Sequence, residues 1–188
     1  SRGRALVRQN DGKLLVAGEA RIETGRVVAV LARYLSDGAL DPAFGSGGRV
    51  LLPLGSGDSR LQAVSSSLAA IHAVGESVVN GTRRSTVVRL NLAGALDAGF
   101  GSGGVASFDL GEEHGGEDLV LDSNGRLLIV GTRGSDSGRQ GFIARLTANG
   151  ALDTGFGVGG VANFGGDSGA SASGRRIVLV TNAHHKSV

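Results

Sequence analysis

The sequence predicts an all-β fold, a β-propeller built from blades of four antiparallel strands in about three and a half repeats. Three observations carry this. The string Gly38-Ala-Leu-Asp-Pro-Ala-Phe-Gly-Ser-Gly-Gly48 returns almost unchanged as Gly94–Gly104 and Gly150–Gly160, each time after 56 residues. Self-similarity at one fixed period marks a repeat architecture. Each period holds four short apolar runs separated by turn-forming residues, and no stretch has a convincing helical period, which is how a propeller blade reads. A β-solenoid would have shorter coils, and a sandwich would not repeat at a fixed interval.

The elements follow in order. Unit one covers residues 4–58. Ala5–Gln9 is a short strand, and Asn10-Asp11-Gly12 is a hairpin turn, since Asp-Gly between apolar runs favours tight turns. Lys13–Gly18 is a continuous apolar run, as expected of a strand covered on both faces. Arg26–Leu35 is the third strand, the Gly38–Gly48 signature the turn, and Arg49–Leu54 the fourth strand. Unit two, residues 59–114, repeats the plan with Leu61–Val64, Ala70–Gly75, Thr86–Leu92 and Val105–Leu110. Its first hairpin replaces Asp-Gly with Ser65-Ser66-Ser67, from which a looser turn is expected. Unit three, residues 115–168, has Asp118–Asp122, Arg126–Gly131, Phe142–Leu146 and Val161–Phe164. A partial fourth unit, 169–188, contains Ser173–Thr181, which matches a second hairpin strand. The whole reads as one repeat domain, expected to be a fragment of a longer protein.

Composition narrows the classes of function. Glycine accounts for 34 of 188 residues without a Gly-X-Y register, and 40% of residues are hydrophobic, which excludes collagen and argues against disorder. The net charge is only +2, Lys and Arg are scattered, aromatics make up 4% and tryptophan is absent. Nucleic-acid binding needs a concentrated basic face and stacking aromatics, so none is expected. There is no cysteine for disulfides or thiolate metal sites, and no run of eighteen apolar residues to span a membrane.

The Asp-Gly-Lys-Leu-Leu-Val-Ala-Gly strand of residues 11–18, combined with the Gly-x-Leu-Asp-x-x-Phe-Gly-x-Gly-Gly signature, resembles the delta-60 repeat family of bacterial β-propeller blades. The resemblance covers residues 4–182. It implies a secreted or cell-surface protein with no reaction attached. The eroded hairpin of unit two and the partial fourth unit depart from the pattern.

Three sets of recurring residues are candidate structural positions. Phe44, Phe100 and Phe156 occupy one place in each signature. Each is read as a wedge between blades, where burying a Phe contributes about 1.5–3 kcal/mol. Asp41, Asp97 and Asp153 precede each turn and are expected to accept hydrogen bonds from backbone N–H groups two or three residues on. A calcium ring is disfavoured, because each signature supplies one carboxylate and calcium needs six or more oxygens. Arg33, Arg89 and Arg145 each lie eight residues before the matching aspartate. They are expected to pair with it, in the same or the next blade, with a bidentate contact fixing geometry more than adding stability.

The functional reading is a non-catalytic binding or structural module at the cell surface or outside the cell, for polar ligands such as glycans or proteins. No cofactor or metal is expected. The Gly-, Ser- and charge-rich loops 19–26, 55–60, 81–85, 111–117 and 132–140 would carry the binding. The alternative is a serine hydrolase. Gly166-Asp-Ser-Gly169 resembles the nucleophile motif of trypsin-like proteases and GDS-type esterases, and Val180–His184 the histidine segment of trypsin-like proteases. Ser168 would then act with His184 or His185. In those proteases the histidine precedes the serine by over a hundred residues, whereas here it follows by sixteen. His72 is read as a core histidine and His114 as part of a solvated loop. Because three and a half blades cannot close a ring of four to eight, the missing blades are expected from a longer chain or from a homodimer.

Overall fold

A computed structural model describes residues 1–134, 139–165 and 176–177. Among these residues there is no helix; the regular structure is twelve strands in three four-stranded antiparallel sheets. Blade 1 is β1 (Arg2–Arg8), β2 (Leu14–Arg21), β3 (Val27–Tyr34) and β4 (Arg49–Leu52). Blade 2 is β5 (Ser59–Ser66), β6 (Ile71–Val79), β7 (Thr82–Leu90) and β8 (Val105–Ser107). Blade 3 is β9 (His114–Leu121), β10 (Leu127–Arg133), β11 (Gln140–Leu146) and β12 (Val161–Phe164). Strand order equals chain order in every sheet, so each blade is an up-and-down meander. The first strands β1, β5 and β9 approach one another, as inner strands around a propeller axis do.

The blades stack face to face through two apolar seams. The first joins Leu15, Ala17, Leu31 and Phe44 of blade 1 to Leu61, Ile71, Val88 and Leu90 of blade 2. The second joins Val74, Val87 and Phe100 of blade 2 to Leu127, Ile129, Phe142 and Leu146 of blade 3. The middle strands of blade 2 therefore bury both faces, and those of blades 1 and 3 bury the face turned to blade 2, which accounts for the apolar runs of the sequence.

The antiparallel order puts the first hairpin and the signature of every blade at one end of the molecule. The second hairpin and the connection to the next blade lie at the other. Most strands extend further than their apolar runs at this second end. Thr82–Ser85, expected as loop, belongs to β7, and the turn is Asn80-Gly81, with both residues at positive φ. Glu19–Arg21 belongs to β2 and His114–Glu117 to β9. The first hairpin of blade 2 is tight rather than loose. Ser67 N donates to Ala70 O at 2.9 Å, and Ser67 Oγ accepts from the amides of Ala69 and Ala70 at 3.2 and 3.1 Å. A serine hydroxyl there replaces the Asp-Gly turn.

Candidate functional site

The three signatures fold alike. In the first, Asp41 N donates to Arg33 O and Arg33 N to Gly48 O, both at 2.9 Å, which lays the eleven residues back along the end of β3. Asp41 Oδ1 accepts from Ala43 N at 3.0 Å, and Oδ2 accepts from Arg33 Nε at 2.8 Å. Asp97 binds Gly99 N and Arg89 Nε in the same way, at 3.0 and 2.8 Å. Asp153 binds Gly155 N and Arg145 Nε at 3.1 and 2.7 Å. These bonds hold all three carboxyls below the usual range, led by the backbone amide for Asp41 and Asp97 and by the Arg145 guanidinium for Asp153. Each arginine pairs with the aspartate of its own blade through Nε alone and not bidentately. The Nη1 of Arg33 and Arg89 reaches the next blade instead, at the carbonyls of Leu92 and Ala148.

Phe44 and Phe100 are fully buried, and the next blade's signature glycine closes over each ring. A Cβ on Gly94 would stand 3.0 Å from Phe44 Cε2, and one on Gly150 the same distance from Phe100 Cε2. Backbone bonds seal the joint, Gly45 N to Ala93 O at 2.9 Å and Gly101 N to Asn149 O at 2.8 Å. Phe156 is only partly buried. The recurring Arg, Asp and Phe thus form clasps between blades. An opening of about 270 Å³ beside the second clasp is lined by Ser67, His72, Arg89 and Asp97. Asp97 is held there by Gly99 N and Arg89 Nε, and Ser67 Oγ by the amides of Ala69 and Ala70. His72 is buried and bonds to neither, so these groups do not form a nucleophile–base pair.

The other end differs. Each inner strand carries a β-bulge at the same place, where pairing skips Arg4 in β1, Gln62 in β5 and Glu117 in β9. The facing residue is a glycine every time, because a Cβ on Gly18, Gly75 or Gly131 would lie 2.0–2.1 Å from a backbone oxygen of the bulged strand. A bulge re-aims the side chain it carries. Here the three extra residues line one open cavity of about 560 Å³, together with Asp118 and Arg176. Arg4 Nη1 donates to Gln62 Oε1 at 3.2 Å, Thr132 Oγ1 donates to Glu117 Oε1 at 3.2 Å, and Ile177 N donates to Asp118 Oδ2 at 2.9 Å.

Behind the cavity runs a chain of alternating charge across the blades. Arg4 meets Glu19 at 3.1 Å, and Arg60 Nε lies 3.4 Å from both Glu19 and Glu76. Arg83 follows, 3.3 Å from Glu76 and 3.8 Å from Glu113. The cavity therefore presents fixed donors and acceptors over an opening of about 560 Å³. Its described lining residues include no serine, cysteine or histidine that could act as a nucleophile or base.

The described residues contain one serine–histidine contact, Ser85 Oγ to His114 Nδ1 at 2.8 Å. Both side chains are sealed from solvent, and His114 stacks on Phe108 with ring centres 5.4 Å apart. No substrate can reach this pair, so its role is in the core. The expectation of a solvated His114 is thereby corrected: the neighbouring glutamates point outward while the imidazole turns into the second seam. His72 is also buried, edge-on to Phe100. Ser168, His184 and His185 lie outside the described residues, as does most of the partial fourth unit.

The bulge residues Arg4, Gln62 and Glu117 went unnoticed in the sequence because their types differ from blade to blade. The available signal was the glycine at positions 18, 75 and 131 in otherwise apolar strands, which marks a bulge or a close backbone approach. The family described as "Domain of unknown function (DUF5122) beta-propeller" matches residues 9–44, 71–100 and 123–156, together more than half of the chain. No curated protein matches the chain.

Proposed function

Because the chain belongs to the DUF5122 β-propeller family, we propose that it is a binding module whose bulge-end cavity takes a polar ligand such as a glycan. The convergence of Arg4, Gln62 and Glu117 on one open cavity carries this reading. Three inner strands spend a bulge at the same place, yet they deliver a cation, an amide and an anion rather than one repeated residue. A purely structural position would repeat its residue, as the clasp positions do. A mixed set of donors and acceptors suits hydroxyl-rich ligands, which need both along one face. The likeness to delta-60 repeats further supports a bacterial protein acting at the cell surface or outside the cell. Fractionation of expressing cells would show it in the envelope or medium, and a purely cytosolic pool would refute that setting.

The test is a glycan microarray probed with the purified chain, followed by calorimetry on the glycans retained. Wild type should retain a defined set, and Arg4→Ala/Gln62→Ala should weaken each by at least about tenfold, the loss of ~1.4 kcal/mol of contacts. No glycan retained, or binding unchanged in the double variant, would overturn the assignment.

A further inference from the structure

The face of blade 1 that points away from blade 2 has no blade against it among the described residues. In blade 2 the equivalent face is formed by Ile71, Ala73, Val88 and Leu90, none of them exposed, and blade 1 covers it. In blade 3 it is formed by Leu127, Ile129, Ala144 and Leu146, exposed by 1% at most and covered by blade 2. The corresponding residues of blade 1 are Leu14, Val16, Ala32 and Tyr34, which register against one another just as their counterparts do. All four are partly exposed. Around them Leu6 is 62% and Leu51 51% exposed, and a groove of about 280 Å³ is lined by Val16, Val30, Ala32, Tyr34 and Leu51. Blade 1 is thus shaped on this side to receive a blade.

The signature end says which blade. Each seam is latched by a Phe turn from one blade seated on the glycine of the next blade's turn. Gly94 and Gly150 are occupied by Phe44 and Phe100. Gly38 is the third glycine of the set, with the same backbone conformation at φ +87°, and no described atom lies within 4 Å of where its Cβ would be. At the opposite end of the stack, Phe156 carries the same arginine cover as the other two rings, with the Arg145 guanidinium 4.8 Å above it. No copy of the signature follows Gly160 within the 188 residues. The described residues beyond blade 3, 176–177, sit beside Asp118 at the bulge end, away from this turn.

We propose that the open face of blade 1 docks the third blade of a second copy of this chain, with Phe156 of one copy seated on Gly38 of the other. The contact continues the two seams already present. Arg145 Nη1 would donate to Ser36 O and Gly157 N to Asp37 O, as Arg89 and Gly101 do at the second seam. The contact is head-to-tail, and such contacts form a closed ring when the rotation permits. Made twice, it joins two sets of three blades into six, within the four to eight of closed propellers.

Light scattering on a sizing column tests this with the full 188-residue chain. Wild type is expected near twice 18.8 kDa, and a single species at 18.8 kDa up to high micromolar concentration would overturn the proposal. Gly38→Arg and Phe156→Ala should each weaken association at least about tenfold, as should Leu51→Arg, with circular dichroism confirming the β fold. Gly25→Arg is the matched control. Gly25 lies at φ +83° in equally open space, at the end away from the latch, and its replacement should leave the dimer intact. Mixing Gly38→Arg with Phe156→Ala should restore a dimer, since one of its two contacts is then wild type on both sides. A dimer that survives Gly38→Arg, or a mixture that stays monomeric, would refute the head-to-tail contact.

Discussion

The guanidinium of Arg33 lies over the ring of Phe44, 4.7 Å from its centre, while its Nε binds Asp41 and its Nη1 crosses to the carbonyl of Leu92 in blade 2. One side chain thereby covers the wedge, holds its own turn and reaches the next blade. Arg89 repeats the arrangement over Phe100 at 4.9 Å, with Asp97 and Ala148 as partners.

The two clasps should differ in strength. Arg33 and Asp41 have side chains only 7% and 5% exposed, whereas Asp97 is 40% exposed. Removing one partner of a buried pair strands the other charge, at a cost of about 3–5 kcal/mol. Lys13 Nζ remains 3.8 Å from Asp41 after the change, so Arg33→Met should destabilise by about 2–3 kcal/mol and Arg89→Met by about 1–2 kcal/mol. Urea unfolding of both variants decides the point, and equal losses would show that burial of the pair is not what sets the cost.

The bulge glycines make a second contrast. A Cβ on Gly75 would lie 2.0 Å from Arg60 O, a backbone atom fixed in the neighbouring strand. Gly75→Ala should cost about 3 kcal/mol or more, because strand β5 must shift to admit it. Gly103 has open space around it and φ of +63°, so Gly103→Ala should cost only about 1–2 kcal/mol of left-handed strain. Thermal melts that rank the two the other way would mean that the bulge adapts freely.

Repetition made the fold legible and hid the candidate site. The signature, the four-strand plan and the recurring Arg33, Asp41 and Phe44 could be read because each is the same answer to the same packing problem, given three times. The cavity residues could not, because Arg4, Gln62 and Glu117 share a backbone position and nothing else. Strand ends were also misjudged at the bulge end. There, pairing continues through Glu76, Arg83 and Arg84, whose polarity reads as loop although the ladder holds them as strand. His114 failed for the opposite reason, since its charged neighbours in sequence are not its neighbours in space.

The alternating charges behind the cavity should respond to salt. Arg60 bridges Glu19 of blade 1 and Glu76 of its own blade, partly in water. Arg60→Ala should lower stability by about 1 kcal/mol at low ionic strength and by less in 1 M salt, where the Debye length is ~3 Å. A loss independent of salt would assign the effect to the packing of the arginine stem instead.

The second seam should be acid-sensitive, and the first should not. His72 and His114 both sit between blades 2 and 3, whereas the position of His72 is leucine in the other blades, Leu15 and Leu128. Burial is the main cause that lowers both imidazoles from 6.5 to about 4, assisted by the positive charge of Arg89 for His72 and of Arg84 for His114. Asp97 and Asp109 oppose the shifts without cancelling them. Ser85 N donates to His114 Nδ1 at 3.2 Å, which puts the ring proton on Nε2, a buried atom with no hydrogen-bond partner among the described residues. The folded state keeps both rings neutral while the unfolded chain takes up protons below 6.5. Stability is therefore fully present above that pH and falls as pH drops toward 4, by about 3 kcal/mol for each histidine. The clasp aspartates, held below their ordinary value of 3.8, stabilise the fold above it and lose that contribution as pH falls from about 5, so the loss between pH 6.5 and about 5 belongs to the histidines. His72→Leu should roughly halve the loss between pH 7.5 and about 5 in urea unfolding, and an unchanged loss would place the acid sensitivity outside this seam.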